Sequence, residues 1–455
     1  MTKKYEIDMC EGAILPKLVL FAVPLMLSSI LQLLYNAADV IVVGKFAGST
    51  ALAAVSSTGS LINLIVNLFI GLSVGANVAV ARFFGAKDEP GVSETVHTSM
   101  LLSLIGGFFV GAVGFFGAHT FLTWMDSPAD VIDQATLYMR IYFLGLPASM
   151  VYNFGSSILR AVGDTRRPLI FLSISGVLNV ILNLVLVIVF HLGVAGVAIA
   201  TIFSQFVSAC LVVGCMMLSK GSSFQFHPAR MRLYRDKVAV ILRTGIPAGI
   251  QGSVFSISNV LIQSSSNSFG SVAMAGNGAA ANLEGFIYVA MNAFHHAALT
   301  ATSQNLGAHK PERIRKVLIE CLILVSVVGF GLGALVYLCG PQLLSIYDSD
   351  PEVISFGMIR MSVIALTYFT CGTMDVLCGQ MRGLGYSVVP MIVSLLGACG
   401  MRVLWIYTAF RAEHTLFCLY ISYPVSWILT SLAHLVCYLV VSRKQKNKLS
   451  TVKEE

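Results

Sequence analysis

PKLVLFAVPLMLSSILQLLYNAADVIVVGK, residues 16–45, carries a single charged side chain, Asp39, between Lys17 and Lys45. An apolar run of about 20 residues is enough to cross a bilayer. Lipid offers the backbone no hydrogen-bond partners, so such a run must be a helix. Working outward, comparable runs recur along nearly the whole chain, at 50–80, 92–117, 130–157, 165–190, 195–218, 237–267, 273–303, 313–338, 353–380, 387–410 and 414–441. The 455 residues are 56% hydrophobic and 11% charged, with a mean hydropathy of +0.82. Soluble domains carry about 25% charged residues, so this chain cannot cover a globule with a wetted surface. The fold class is therefore all-α, a polytopic membrane protein with twelve transmembrane helices.

Net charge is +7, but its placement argues for membrane orientation and against nucleic acid. With the N-terminus cytoplasmic, all but five of the 29 Lys and Arg (Lys45, Arg140, Arg360, Arg402 and Arg411) fall on the inner side, as the positive-inside rule expects. Outer loops are instead acidic, with Asp126, Asp130 and Asp133 in one and Asp348, Asp350 and Glu352 in another. Both termini are thus expected in the cytoplasm. The start, MTKKYEIDMCEGAILPKL, has no short apolar core with a cleavage site, so no removable signal peptide is expected. The ten cysteines form no CxxC pair and read as small buried apolar residues.

The sequence repeats itself. FAVP (21–24) matches TGIP (244–247) at an offset of 223, which sets Asn36 on Asn259 and Phe46 on Phe269. ARFFGAK (81–87) matches SQNLGAH (303–309), and LRAVGDTRRP (159–168) matches MRGLGYSVVP (381–390), both at 222. The chain divides into an N-lobe of six helices (1–220), a polar and basic linker (221–236), a C-lobe of six helices (237–441) and a basic tail (442–455). An even number of spans per copy makes the two lobes parallel repeats, a symmetry that in transporters places substrate at the repeat interface near the midplane.

Three acidic residues lie well inside spans: Asp39, Glu284 and Asp375. An intramembrane carboxylate costs roughly 2.5–3.5 kcal/mol to insert and marks a candidate functional site. Gln32, Asn36 and Asp39, spaced by four and three, share one helix face, as do Asn179 and Asn183. Asp39, Asn183 and Thr201 each fall six or seven residues from the outer end of their spans, roughly 9–10 Å deep at 1.5 Å per residue. One carboxylate, two amide oxygens and a hydroxyl suit a small hard cation such as Na⁺; a proton on Asp39 suits the burial equally. At the same offsets Asp39, Asn179, Asn183 and Thr201 fall on Ile262, Met401, Trp405 and Tyr423, so this cage belongs to one lobe. Gln32, Asn36, Glu284 and Asp375 remain candidate substrate or secondary polar residues. For Glu284, a cationic substrate, a proton or a partner on another helix all fit. Asp375 lies seven residues before Arg382 and reads as solvated, Arg-paired or functional. His295 and His296, adjacent in sequence, read as packing residues.

Pro24 in FAVPLML, YNAADVIVVGKFAG (35–48), LRAVGDTRRP, NVILN (179–183) and SQNLGA (303–308) give the chain a resemblance to the multidrug and toxic compound extrusion (MATE) family of secondary transporters. The resemblance runs over nearly the whole chain. It implies efflux of organic, often cationic, compounds in exchange for Na⁺ or H⁺, with no other cofactor and no enzymatic chemistry. It also implies an N-lobe cation site at Asp39, Asn179, Asn183 and Thr201. The departures are Asn183, which is Asp in some members, and Phe255 and Cys371, which stand where one subgroup has acidic residues. The expected protein is a monomer in the bacterial inner (cytoplasmic) membrane, with the lipid bilayer and small organic cations as partners. A lipid-linked oligosaccharide flippase is the alternative, and would need several basic residues in its cavity; the sequence places only Arg402 well inside a span. No selectivity filter repeats, which disfavours a channel.

Overall fold

A computed structural model describes residues 5–125 and 130–454, with side chains at all of these except 49, 52, 56, 57, 60 and 444–454. Lys3, Lys4 and Asp126, used above for orientation, lie outside the described residues, as do the side chains of the tail lysines Lys444, Lys446, Lys448 and Lys453. Every regular element among the described residues is helical. Twelve rods follow in order. They are α1 (Ile14–Ala47), α2 (Ser49–Gly85), α3 (Glu89–Trp124), α4 (Ile132–Leu144 and Leu146–Ala161), α5 (Arg166–Val189) and α6 (Gly193–Leu218). The second six are α7 (Arg235–Asn267), α8 (Ser271–Gly307), α9 (Pro311–Leu338), α10 (Pro351–Gly383), α11 (Val388–Ala412) and α12 (Leu416–Glu454). Boundaries follow the sequence reading to within a few residues at nearly every end; the largest departure is the C-terminal end of α12, which runs on through the tail.

Ten of these rods are long and apolar enough to cross a membrane. The two exceptions have physical reasons. The α4 rod is interrupted at Gly145, so neither piece is long enough alone. The α8 rod is continuous but carries Asn277, Asn282, Glu284, Asn292, His295 and His296. Large apolar side chains that a soluble protein would bury, among them Phe108, Phe109 and Phe116 on α3 and Val177 and Ile181 on α5, stand exposed. Lipid is the solvent that makes this arrangement favourable.

The internal repeat is visible in the backbone. Residues with left-handed φ recur at an offset of 222: Gly48 (91°) with Gly270 (95°), Lys87 (57°) with His309 (54°), and Gly163 (88°) with Gly385 (87°). Gly163 and Gly385 are the glycine shared by LRAVGDTRRP and MRGLGYSVVP, and a side chain there would be strained. In the first copy the turn is closed by Asp164, whose Oδ1 accepts from the backbone of Arg166 and Arg167 at 3.2 and 3.1 Å. Its Oδ2 pairs with Arg167 Nε at 2.8 Å.

By contact the chain forms two compact units, one of Met1–Asp8 with Leu27–Gly249 and the other of Met9–Met26 with Ile250–Glu455. The division cuts α1 after Met26 and α7 after Gly249, positions equivalent at the offset of 223. Each cut falls two residues after a proline inside the helix, Pro24 and Pro247. Within the second unit, the SQNLGA motif has a structural task. Gln304 Oε1 accepts from the Met9 amide at 2.9 Å, and Asn305 Nδ2 and Arg313 Nη2 donate to the Met9 carbonyl at 3.1 and 3.0 Å. The linker of the first unit is also less free than its polar composition implies: Phe224 and Phe226 are buried, and the His227 amide donates to His97 Nε2 at 3.1 Å.

In the first unit, Gly71 and Gly75 of α2 meet Gly245 and Gly249 of α7 at backbone contact; a Cβ on Gly71 would run into Gly249, and one on Gly75 into Ile241. Paired small residues four apart are the usual device for close helix approach in lipid. We expect Gly75→Ala to lower thermal stability by about 1–3 kcal/mol, the cost of overpacking. Gly214→Ala on α6, where nothing lies within 4 Å, should be neutral or slightly stabilising. Melting of the purified variants in one detergent compares them; equal losses at both positions would refute the close-contact account.

Candidate cation site

The site is set by how closely α1 can approach α5. Tyr35, one turn before Asp39, lies over Gly176 of α5, where any Cβ would occupy the ring's place. Its hydroxyl donates to the Ser173 carbonyl at 3.4 Å. With that contact made, Asp39 comes opposite Asn183: the Asn183 amide Nδ2 donates to Asp39 Oδ1 and also to Asn179 Oδ1 at 3.3 Å. Asn179 and Asn183 are buried, and Asp39 is half-buried. Three of the four predicted residues thus form one hydrogen-bonded chain. The Tyr35–Gly176 lock is invisible to a search for polar residues, because it consists of a ring and a missing side chain.

The fourth residue behaves differently. Thr201 gives its hydroxyl proton to the Val197 carbonyl of its own helix at 2.9 Å, leaving its lone pairs as the only contribution it has to offer. Gln32 and Asn36 share the α1 face with Asp39 but are exposed. Tyr138 of α4, which sequence reasoning missed, is buried within electrostatic reach of Asp39. Just beyond the pair, both helices leave the α register for a π-turn, Val43–Ala47 in α1 and Val185–Val189 in α5. Such turns are rare and recur at functional sites.

One atom tests whether a cation fits. Asn183 Oδ1 is buried and has no hydrogen-bond partner among the described residues. A buried acceptor left unmade costs about 1–3 kcal/mol, and a cation or an acidic proton would remove that cost. The donor set of carboxylate and amide oxygens is that of a hard cation.

In the second unit Glu284 is not free. Arg360 of α10 grips it with Nε at 3.0 Å from Oε1 and Nη2 at 2.7 Å from Oε2. Arg360 Nη1 also donates to Asn277 Oδ1 at 2.7 Å, which accepts from the Tyr420 hydroxyl at 3.1 Å. This corrects the sequence argument that Arg402 alone among basic residues lies well inside a span: Arg360 is buried within α10. Asp375 makes no ion pair with Arg382 among the described residues. Arg382 donates instead to Gln251 Oε1 at 2.7 Å. His295 is buried, its Nδ1 2.7 Å from the Asp375 carbonyl. Phe255 and Cys371 both join an apolar cluster.

The MatE family model matches residues 24–185 and again 247–408. The two matches are themselves spaced by 223 residues. Among curated proteins, the chain is 28% identical over 395 residues to the probable multidrug resistance protein YpnP of Bacillus subtilis (strain 168), covering 87% of this chain and 88% of that one. It is 27% identical over 438 residues to the probable multidrug resistance protein YoeA of the same organism, covering 94% of each. Among solved structures, the outward-facing conformation of a multidrug resistance MATE family transporter of the MOP superfamily superposes with a TM-score of 0.89 over all of both chains, at 22% identity.

Proposed function

The chain belongs to the MatE family, and on that premise we propose that it is a cation-coupled antiporter exporting small organic, chiefly cationic, compounds in exchange for Na⁺ or H⁺. It is a multi-pass membrane transporter, and its relatives carry the name of multidrug resistance proteins. The observation that supports ion coupling is the Asp39–Asn183–Asn179 chain with its buried oxygen, Asn183 Oδ1, that meets no donor among the described residues.

Either coupling ion asks for the same local change. A proton on Asp39 turns an acceptor into a donor, and the acceptor beside it is Asn183 Oδ1. A sodium ion takes oxygens only, so the Asn183 amide has to rotate and present Oδ1 where Nδ2 now points. In both cases the amide leaves its present contact with Asp39. The switch is therefore the Asn183 side chain, and α5 carries the signal onward. Cation entry at Asp39 disfavours retention of the organic substrate and drives the alternating-access cycle. We place the protein in a bacterial cytoplasmic membrane as a monomer, with both termini inside as the Lys and Arg distribution supports. Efflux is favoured over lipid-linked oligosaccharide flipping, because Glu284 neutralises one of the buried arginines and a pyrophosphate needs several.

Everted vesicles test the coupling. Ethidium accumulation is expected when the lumen is loaded with Na⁺, or when it is made acidic, and the gradient that works identifies the ion. If neither gradient drives accumulation above that of vesicles lacking the protein, the antiport reading fails.

A further inference from the structure

We propose that the second unit builds an anion site around Arg402 of α11, one that receives the carboxylate, sulfonate or phosphate group of a small organic solute. Arg402 is 2% exposed, and no carboxylate among the described residues lies within ion-pair distance of it. Its Nε donates to Ser426 Oγ at 3.1 Å and its Nη1 to Asn259 Oδ1 at 3.4 Å, both neutral acceptors. Its Nη2 makes no hydrogen bond among the described residues. The guanidinium carbon stands 4.3 Å from the centre of the Tyr423 ring and 5.5 Å from that of Trp427.

The same unit shows how it neutralises a buried arginine when neutrality is all that is needed. Arg360 receives both oxygens of Glu284. Tyr423 is shared between the two, its ring 5.6 Å from the Arg360 guanidinium and 4.3 Å from that of Arg402. Around one ring there are thus two guanidiniums and one carboxylate, a fixed net positive charge inside a membrane segment. Intramembrane charges pair with one another, and one without a partner marks a ligand path. Among the described residues Arg382 also lacks an ion-paired carboxylate, but it stands in the last turn of α10, where the helix carbonyl end favours a cation. Arg402 has no such help. It lies 14 residues from the start of α11 and 10 from its end, roughly 15 Å or more along the axis from either, which puts a lipid headgroup out of reach.

The repeat gives this position meaning. At the offsets of the duplication, Asn36, Asn179 and Thr201 fall on Asn259, Met401 and Tyr423, so Arg402 occupies the place in the second unit that the Asp39 cage occupies in the first. One copy presents a carboxylate for a mobile cation; the other presents a fixed cation beside two aromatic rings, with an N–H that meets no acceptor among the described residues. An aryl or heteroaryl acid matches both features.

Isothermal titration of the full-length protein in phosphatidylcholine nanodiscs with naphthalene-2-sulfonate reads the site. Saturable binding is expected, weakened about three- to tenfold by Arg402→Lys, which keeps the charge and loses the fork, and more than about thirtyfold by Arg402→Gln. Naphthylmethylammonium, of the same shape and opposite charge, should not compete. Unchanged sulfonate affinity in either variant, or no saturable binding to the wild type, overturns the proposal. If Arg402→Gln is recovered unfolded, Arg402→Lys carries the test. The inference uses the transporter reading but not the coupling cation. Ethidium accumulation by wild-type vesicles under the gradient, measured beside the titration, separates absence of the anion site from failure of antiport.

Discussion

Asp39→Asn should lose gradient-driven export, with ethidium accumulation falling at least about thirtyfold under whichever cation gradient drives the wild type. The substitution is isosteric, and its carboxamide can hydrogen-bond the Asn183 amide in either orientation, so the helix contact and the fold should persist. What disappears is the charge that gives a cation different affinities for the two states of the cycle. Coupling between sites in proteins is typically worth 1–3 kcal/mol, or about 5–150-fold. A ligand with no such difference shifts nothing. Ethidium binding to the purified variant should stay within about threefold of wild type, which separates a coupling defect from a binding defect. Export by Asp39→Asn at the wild-type rate would remove Asp39 from the mechanism. Asn183→Leu should approach the same phenotype, because it removes the unsatisfied oxygen while leaving Asp39 in place.

How much of this was legible in the sequence varies with the range of the interaction. Spans were legible because each is fixed by a local excess of apolar residues, and α1 begins and ends within two residues of its reading. The repeat was legible because the left-handed turns demand the same residues twice, Gly163 and Gly385 above all. The Asp39–Asn183 pair could be placed by depth, since helical rise turns residue number into distance from the bilayer surface. The same arithmetic placed Thr201 at that depth, but depth says nothing of rotamer, and its hydroxyl turns back to Val197. Arg360 was misjudged because its partner Glu284 is 76 residues away, and no periodicity links them. The cuts through α1 and α7 were hidden for a similar reason: a continuous helix reads as one element even when its halves pack with different units.

Glu284 and Arg360 make the second large prediction, one that separates a structural ion pair from a substrate ligand. Removing one partner of a buried pair leaves an uncompensated charge and costs about 3–5 kcal/mol, whereas replacing both with apolar or neutral groups is often neutral. Glu284→Gln should therefore lower the melting temperature sharply, since Arg360 would keep only Asn277 and the Tyr420 and Tyr423 rings. Arg360→Gln should do the same by stranding the carboxylate. The double variant Glu284→Gln with Arg360→Gln should recover most of the loss, giving a strongly positive coupling in a double-mutant cycle. A carboxylate that binds cationic substrate would behave otherwise: Glu284→Gln would melt near the wild-type temperature, lose ethidium affinity, and gain nothing from the second substitution. The geometry favours the first outcome, because a bidentate guanidinium already occupies both oxygens of Glu284. It follows that a cationic compound could reach this carboxylate only by displacing Arg360, and would have to supply a fork as good as the one it removes.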